Sequence, residues 1–179
     1  TAIFFADGFE EIEGLTVVDM FRRAGIPIQT ISISDSLTVT GSHDIKVQAD
    51  CLLKDFDFNT VEMLILPGGM PGTLNLEADT MVQTSIDYCV DNEKYVCAIC
   101  AAPSILGHKG LLKGKEAICF PGFEDALSGA KISEKYVVTD GKFVTARGAG
   151  VAVDFGLEIV KNLGGEELSK KIRETIQCK

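Results

Sequence analysis

Long apolar runs, clustered positive charge and paired metal-type ligands are what this 179-residue chain lacks, and each absence removes a class of function. No window approaches 18 uninterrupted apolar residues, so no membrane span is expected. The first residues show no basic segment followed by an apolar stretch, so no secretory signal is read. A net charge of −9 argues against nucleic-acid or anionic-membrane partners, which need clustered positive charge. Arg22-Arg23 and Lys170-Lys171 are pairs on solvated helix faces, not stripes. Only His43 and His108 are histidines, and no Cys/His cluster has zinc spacing, so no metal is expected. The six cysteines form no framework of secreted type, which predicts reduced thiols in a cytoplasmic protein.

What is present is an ordinary globular balance, 46% hydrophobic and 24% charged, with no repeat or long linker. That predicts a single domain over residues 1–179. Strand and helix signals alternate along it. Strands are expected at 2–6, 26–33, 63–66 and 95–99. Helices are expected at 10–24, with Ile12, Leu15, Val18 and Phe21 facing the core, and at 80–91. Residues 37–53 alternate polar and apolar side chains around Gly41-Ser42-His43-Asp44, an antiparallel excursion. Short strands follow at 117–120, 136–139 and 142–145, the last two joined by an Asp140-Gly141 turn. Helices at 151–163 and 166–176 close the chain. Repeated βα units predict an α/β fold, a flavodoxin-like doubly wound, mostly parallel sheet between helices, with a small antiparallel hairpin.

Cys100 stands at the break between the strand at 95–99 and a helix that Pro103 places within a residue or two of Ala101. Unpaired N–H groups and a helix dipole there are expected to lower the thiol pKa from about 8.5. Four glycine-rich segments follow strands and can meet at the same sheet edge: 7–13, 67–72, 100–102 and 146–150. The N–H groups of Gly69 and Ala101 are placed to form an oxyanion hole, with Gly68, Arg147 and Gly148 alongside. Cys97 and Cys100 have dithiol spacing, but residues three apart in a strand face opposite ways, so no disulfide is expected. Cys119 is the better resolving candidate by position.

Gly8-Phe9-Glu10-Glu11-Ile12-Glu13, Leu66-Pro67-Gly68-Gly69, Ala98-Ile99-Cys100-Ala101-Ala102-Pro103 and Arg147-Gly148-Ala149-Gly150 with Asp154-Phe155 follow one another along the chain. Together they resemble the ThiJ/PfpI superfamily, in the branch of the parkinsonism-associated deglycase and its bacterial homologues. The resemblance implies that Cys100 is the nucleophile and Glu13 the carboxyl beside it. A carboxylate close to a thiolate disfavours double ionisation, so Glu13 is expected to hold a proton and titrate with Cys100 as a pair. The resemblance further implies a cofactor-free glyoxalase or deglycase taking a small reactive carbonyl or a glycated thiol or amine. It also implies a homodimer through the first helix, where Val17 and Met20 suggest a second buried face. A redox-sensing or chaperone-like protein with an oxidisable Cys100 is the alternative. The chain departs from the family at three places. Ala101 stands where protease-type members have histidine, Phe120 where the animal deglycase has one, and His43 where the family's hairpin carries arginine.

Overall fold

Apolar runs of four or five residues, too short for helices, become the strands of a seven-stranded sheet. The computed structural model describes residues 1–178. Its elements are β1 (Ala2–Phe5), α1 (Glu11–Ala24), β2 (Gln29–Ser32), β3 (Thr38–Thr40), β4 (Lys46–Gln48), β5 (Cys51–Leu52) and β6 (Met63–Leu66). Then come α2 (Gly72–Ala78), α3 (Thr80–Asp91), β7 (Tyr95–Ile99), α4 (Pro103–His108), β8 (Glu116–Ala117) and β9 (Lys131–Ile132). The hairpin β10 (Val137–Asp140) and β11 (Phe143–Ala146) precedes α5 (Ala152–Gly164) and α6 (Glu166–Thr175). The sheet order is β10-β11-β7-β6-β1-β2-β5, with every pairing parallel except β10 with β11.

Both faces of the sheet are covered, because alternate residues of each central strand enter different layers. Phe4, Leu64, Leu66, Val96 and Ala98 pack with Leu76, Val82, Ile86 and Ile105 of α2, α3 and α4. Ile3, Phe5, Met63, Ile65, Cys97 and Ile99 pack with Val17, Phe21, Phe155, Ile159 and Ile172 of α1, α5 and α6. The chain winds outward from β1 in both directions, so the crevice between β1 and β6 is the switch point where such sheets bind ligands.

Several boundaries differ from the sequence reading. The excursion is antiparallel only at β3–β4, because Cys51–Leu52 turns back to pair parallel with β2. The strand expected at 117–120 shrinks to β8, which pairs with β9 in a separate ribbon. Helix α2 was not anticipated; seven residues give too little periodicity to read. Helix α1 buries Val18 and Phe21 as expected, but its first turns are set differently from the expected face. Ile12 and Leu15 are 57% and 38% exposed, whereas Val17 and Met20 are buried inside the chain. The face turned inward includes Glu11 and Glu13. No helix among the described residues is long and apolar enough to cross a membrane.

Candidate active site at the Cys100 elbow

The end of β7 makes the site possible. Cys100 adopts φ 65°, a left-handed conformation that costs a non-glycine residue about 1–3 kcal/mol and needs its surroundings to hold it. Two backbone hydrogen bonds do so: Cys100 N–H donates to Ala146 O at 2.9 Å, and Phe120 N–H donates to Cys100 O at 2.7 Å. The chain then turns into α4 with Pro103 in the first turn, as its fixed φ favours. This is the strand–turn–helix geometry that presents a nucleophile at a sheet edge.

The loops after β1 and β6 complete the site. Glu10 N–H donates to Gly68 O at 2.9 Å and Gly72 N–H to Gly8 O at 3.1 Å, tying the two turns together. Glu13, with no exposed surface, accepts from Gly68 N–H at 2.8 Å through Oε2. Its other oxygen, Oε1, is buried with no partner of hydrogen-bonding geometry among the described residues. A Cβ built on Gly68 would lie 2.7 Å from both Glu13 Oε2 and Cys100 Cβ, so only glycine lets the acid and the thiol close over this turn. The N–H groups of Gly69 and Ala101 act on the sulfur, favouring its ionised form. The structure therefore brings together Cys100, Glu13, Gly68, Gly69 and Ala101. Gly148 borders them, and Arg147 stands further out, its guanidinium 5.3 Å from the Tyr136 ring centroid.

The electrostatics correct one expectation. Burial, followed by the charge and hydrogen bond of Glu13, pushes the Cys100 thiol up to about 12, against the opposing pull of the Ala101 and Gly69 N–H groups. The sequence reading counted only the helix terminus, but α4 is a six-residue helix that begins three residues after Cys100. Burial also pushes Glu13 up to about 7, as expected of a carboxyl that keeps its proton beside a thiol. The two share one proton above neutrality, and their titration belongs to the pair.

Cys119 is buried in the layer under α3 and α4, whereas Cys100 packs against the opposite layer. Burial, with Glu124 adding to it, pushes Cys119 up to about 11, so it is no ready partner. The opposite-face argument for Cys97 does not hold. β7 ends at Ile99, and Cys97 lies fully buried in the layer that Cys100 packs against. Cys51, Cys89, Cys97, Cys100 and Cys119 are free thiols.

Sequence reasoning missed two features. One is Tyr136, which no motif marks. The other is a latch between α1 and the β3–β4 hairpin. Glu11 accepts from His43 N–H at 2.8 Å and Ser42 Oγ at 3.2 Å, and lies 2.9 Å from His43 Nδ1. Glu10, Glu11 and His43 place ligand-type atoms within 4.8 Å of one another, but the Glu11 oxygens are already engaged by the hairpin. Burial raises the Glu11 pKa, and the His43 and Ile45 donors outweigh it, holding the group at about 2. Glu11→Ala is predicted to cost about 1–3 kcal/mol by urea denaturation at pH 7, since it leaves the hairpin donors unmet. A depressed carboxyl stabilises above its unfolded pKa, so the wild-type advantage should fade as pH drops from about 4.5 toward about 2. Equal stability of the two proteins at pH 7 would refute the latch.

Comparison with known proteins identifies the family. Residues 1–162 match the DJ-1/PfpI family. The chain is 34% identical over 169 residues to protein DJ-1 homolog B of Arabidopsis thaliana, covering 93% of this chain and 39% of that one. It spans about two fifths of the length of the two Arabidopsis relatives. To the Parkinson disease protein 7 homolog of Danio rerio it is 30% identical over 181 residues, covering 99% of this chain and 96% of the relative. Oxidised DJ-1 from Toxoplasma gondii superposes with a TM-score of 0.94 at 30% identity, covering 98% of this chain and 96% of that one. A protein with this elbow, this buried acid and this match over most of its length is a member of the DJ-1/PfpI family.

Proposed function

We propose that the chain is a cofactor-independent glyoxalase- or deglycase-type enzyme of the cytoplasm that acts on 2-oxoaldehydes in carbonyl and oxidative stress. The observation that carries this reading is the fully buried Glu13 beside a thiol on which the Gly69 and Ala101 N–H groups also act. Above neutrality Glu13 is a carboxylate poised as a base, and Cys100 is the donor next to it. As Sγ bonds to the aldehyde carbon of R-CO-CHO, the thiol proton passes to Glu13 and then to the former aldehyde oxygen, giving a hemithioacetal. Glu13 next moves the C1 proton to C2 through an enediolate, leaving a thioester. Gly69 and Ala101 N–H groups support the oxyanion at each stage. Water cleaves the thioester, restoring the thiol and releasing R-CH(OH)-COO⁻ and a proton. The sum adds one water and needs no oxidant. The test is methylglyoxal consumption by reduced protein without glutathione, read as lactate.

The oxidised form of the T. gondii relative favours a second reading, a peroxide sensor. There the Cys100 thiol proton would pass to Glu13 as the sulfur bonds to one peroxide oxygen and the O–O bond breaks, and Glu13 would hand that proton to the departing hydroxide, giving a sulfenic acid and water. Lactate formation supports the enzyme. Stoichiometric oxidation without turnover supports the sensor.

The exposed Ile12 and Leu15 of α1, with Ile45 at 52% exposure on the neighbouring hairpin, support a homodimer through this helix. Ile12→Glu is predicted to shift light-scattering mass from dimer toward monomer. A wild-type monomer would refute the pairing.

A further inference from the structure

A cleft of about 320 Å³ opens beside the thiol, and nothing in the reaction described above uses it. Phe120, Pro121, Tyr136, Arg147, Gly148 and Val151 are among its walls. At about 30 Å³ per water it holds roughly ten water-sized volumes, far more than the five non-hydrogen atoms of methylglyoxal fill. Two of its walls are aromatic side chains left largely in solvent, Phe120 at 46% and Tyr136 at 59% exposure.

Both aromatic residues are anchored through the backbone near the elbow. The Phe120 N–H donates to the Cys100 carbonyl at 2.7 Å, so the ring is carried on backbone bonded to the nucleophile's own. Arg147 N–H donates to Tyr136 O at 2.9 Å, and its guanidinium lies against the Tyr136 ring, 5.3 Å from the centroid. Gly148 joins cleft and thiol. A Cβ built there would lie 3.2 Å from Phe120 Cδ2 and 3.9 Å from Cys100 Sγ, so the glycine leaves an open passage from sulfur to ring.

We propose that this cleft is an aryl-binding subsite, in which Phe120 and Tyr136 select 2-oxoaldehydes bearing an aromatic substituent over methylglyoxal. The inference rests on the 2-oxoaldehyde reading above and names its substrate class. With sulfur bonded to C1, a ring on C2 extends across Gly148 between the two aromatic walls. There it gains offset or edge contacts that a methyl group cannot reach. The balance of the reaction is unchanged, ArCOCHO plus water giving ArCH(OH)COO⁻ and a proton.

The experiment compares kcat/KM for phenylglyoxal and methylglyoxal in wild type, Phe120→Ala and Phe120→Leu. Initial rates are used, before arginine modification by phenylglyoxal accumulates. Phe120→Ala should lower the phenylglyoxal-to-methylglyoxal ratio about tenfold, chiefly through KM, and Phe120→Leu should recover part of it. The ratio is internal to each variant, so partial loss of folded protein cancels. If both aldehydes are consumed but the ratio is unchanged in Phe120→Ala, the aryl subsite is overturned and the 2-oxoaldehyde chemistry stands. If neither aldehyde is consumed by the wild type, the underlying reading falls, and this inference with it.

Discussion

Cys100→Ser is predicted to abolish lactate formation from methylglyoxal, lowering kcat/KM by about 10³-fold or more. The substitution is nearly isosteric, and serine meets the same φ of 65° with the same two backbone hydrogen bonds, so the elbow should persist. What changes is the proton. Even the thiol is pushed up to about 12 here, and Glu13 near 7 already works against a wide gap to accept from it. A serine hydroxyl is a much weaker acid than a thiol, and no histidine lies next in sequence to help, since that position is Ala101. The check is lactate yield without glutathione, together with a denaturation curve showing the variant folded. Retention of a tenth or more of wild-type turnover would mean that carbon–sulfur bond formation is not part of the reaction.

The elements read well from the sequence are those whose burial is two-sided or whose boundaries are chemically marked. The runs at 2–5, 63–66 and 95–99 are apolar at every position because helices cover both faces of the sheet, and such runs stand out without periodicity. Gly25, with φ 69°, ends α1, and Gly141, with φ 61°, makes the β10–β11 turn, so both glycines were informative. Elements of two residues, such as β5, β8 and β9, carry no pattern and exist only through tertiary pairing.

The setting of the first turns of α1 is the more instructive failure. A hydrophobic-face reading turns Ile12 and Leu15 inward. The helix instead buries Glu11, whose carboxylate the hairpin donors satisfy, and Glu13, one oxygen of which accepts from Gly68 N–H. Polar groups that go inside against the hydrophobic pattern do so for partners supplied by distant loops, 55 residues away for Gly68, and a local pattern cannot show them. The same limit applied to Glu13, which only the family resemblance separated from Glu10 and Glu11.

Glu13→Gln is predicted to separate stability from function. Glutamine keeps an acceptor for Gly68 N–H, 2.8 Å away in the wild type, and turns an N–H toward the sulfur, so the packing is preserved. It cannot take the thiol proton, and turnover should fall about 10²- to 10⁴-fold. The wild-type rate and the alkylation rate of Cys100 should both rise as pH passes about 7, where the pair loses its first proton. In the variant this limb should move upward out of the neutral range, because a buried thiol with no neighbouring base ionises only at higher pH.

Stability should change the other way. The wild-type carboxyl keeps its proton to about 7 when folded but releases it near its ordinary 4.5 when unfolded. Burial of Glu13 therefore erodes wild-type stability between those two values, by at most about 3 kcal/mol. Glutamine has no such proton to lose. The variant should match the wild type near pH 4 and exceed it by about 1–3 kcal/mol at pH 8, measured by urea denaturation across that range. A variant weaker than wild type at both pH values would show that the carboxylate holds the fold together. Its burial could then no longer be read as a cost carried for chemistry.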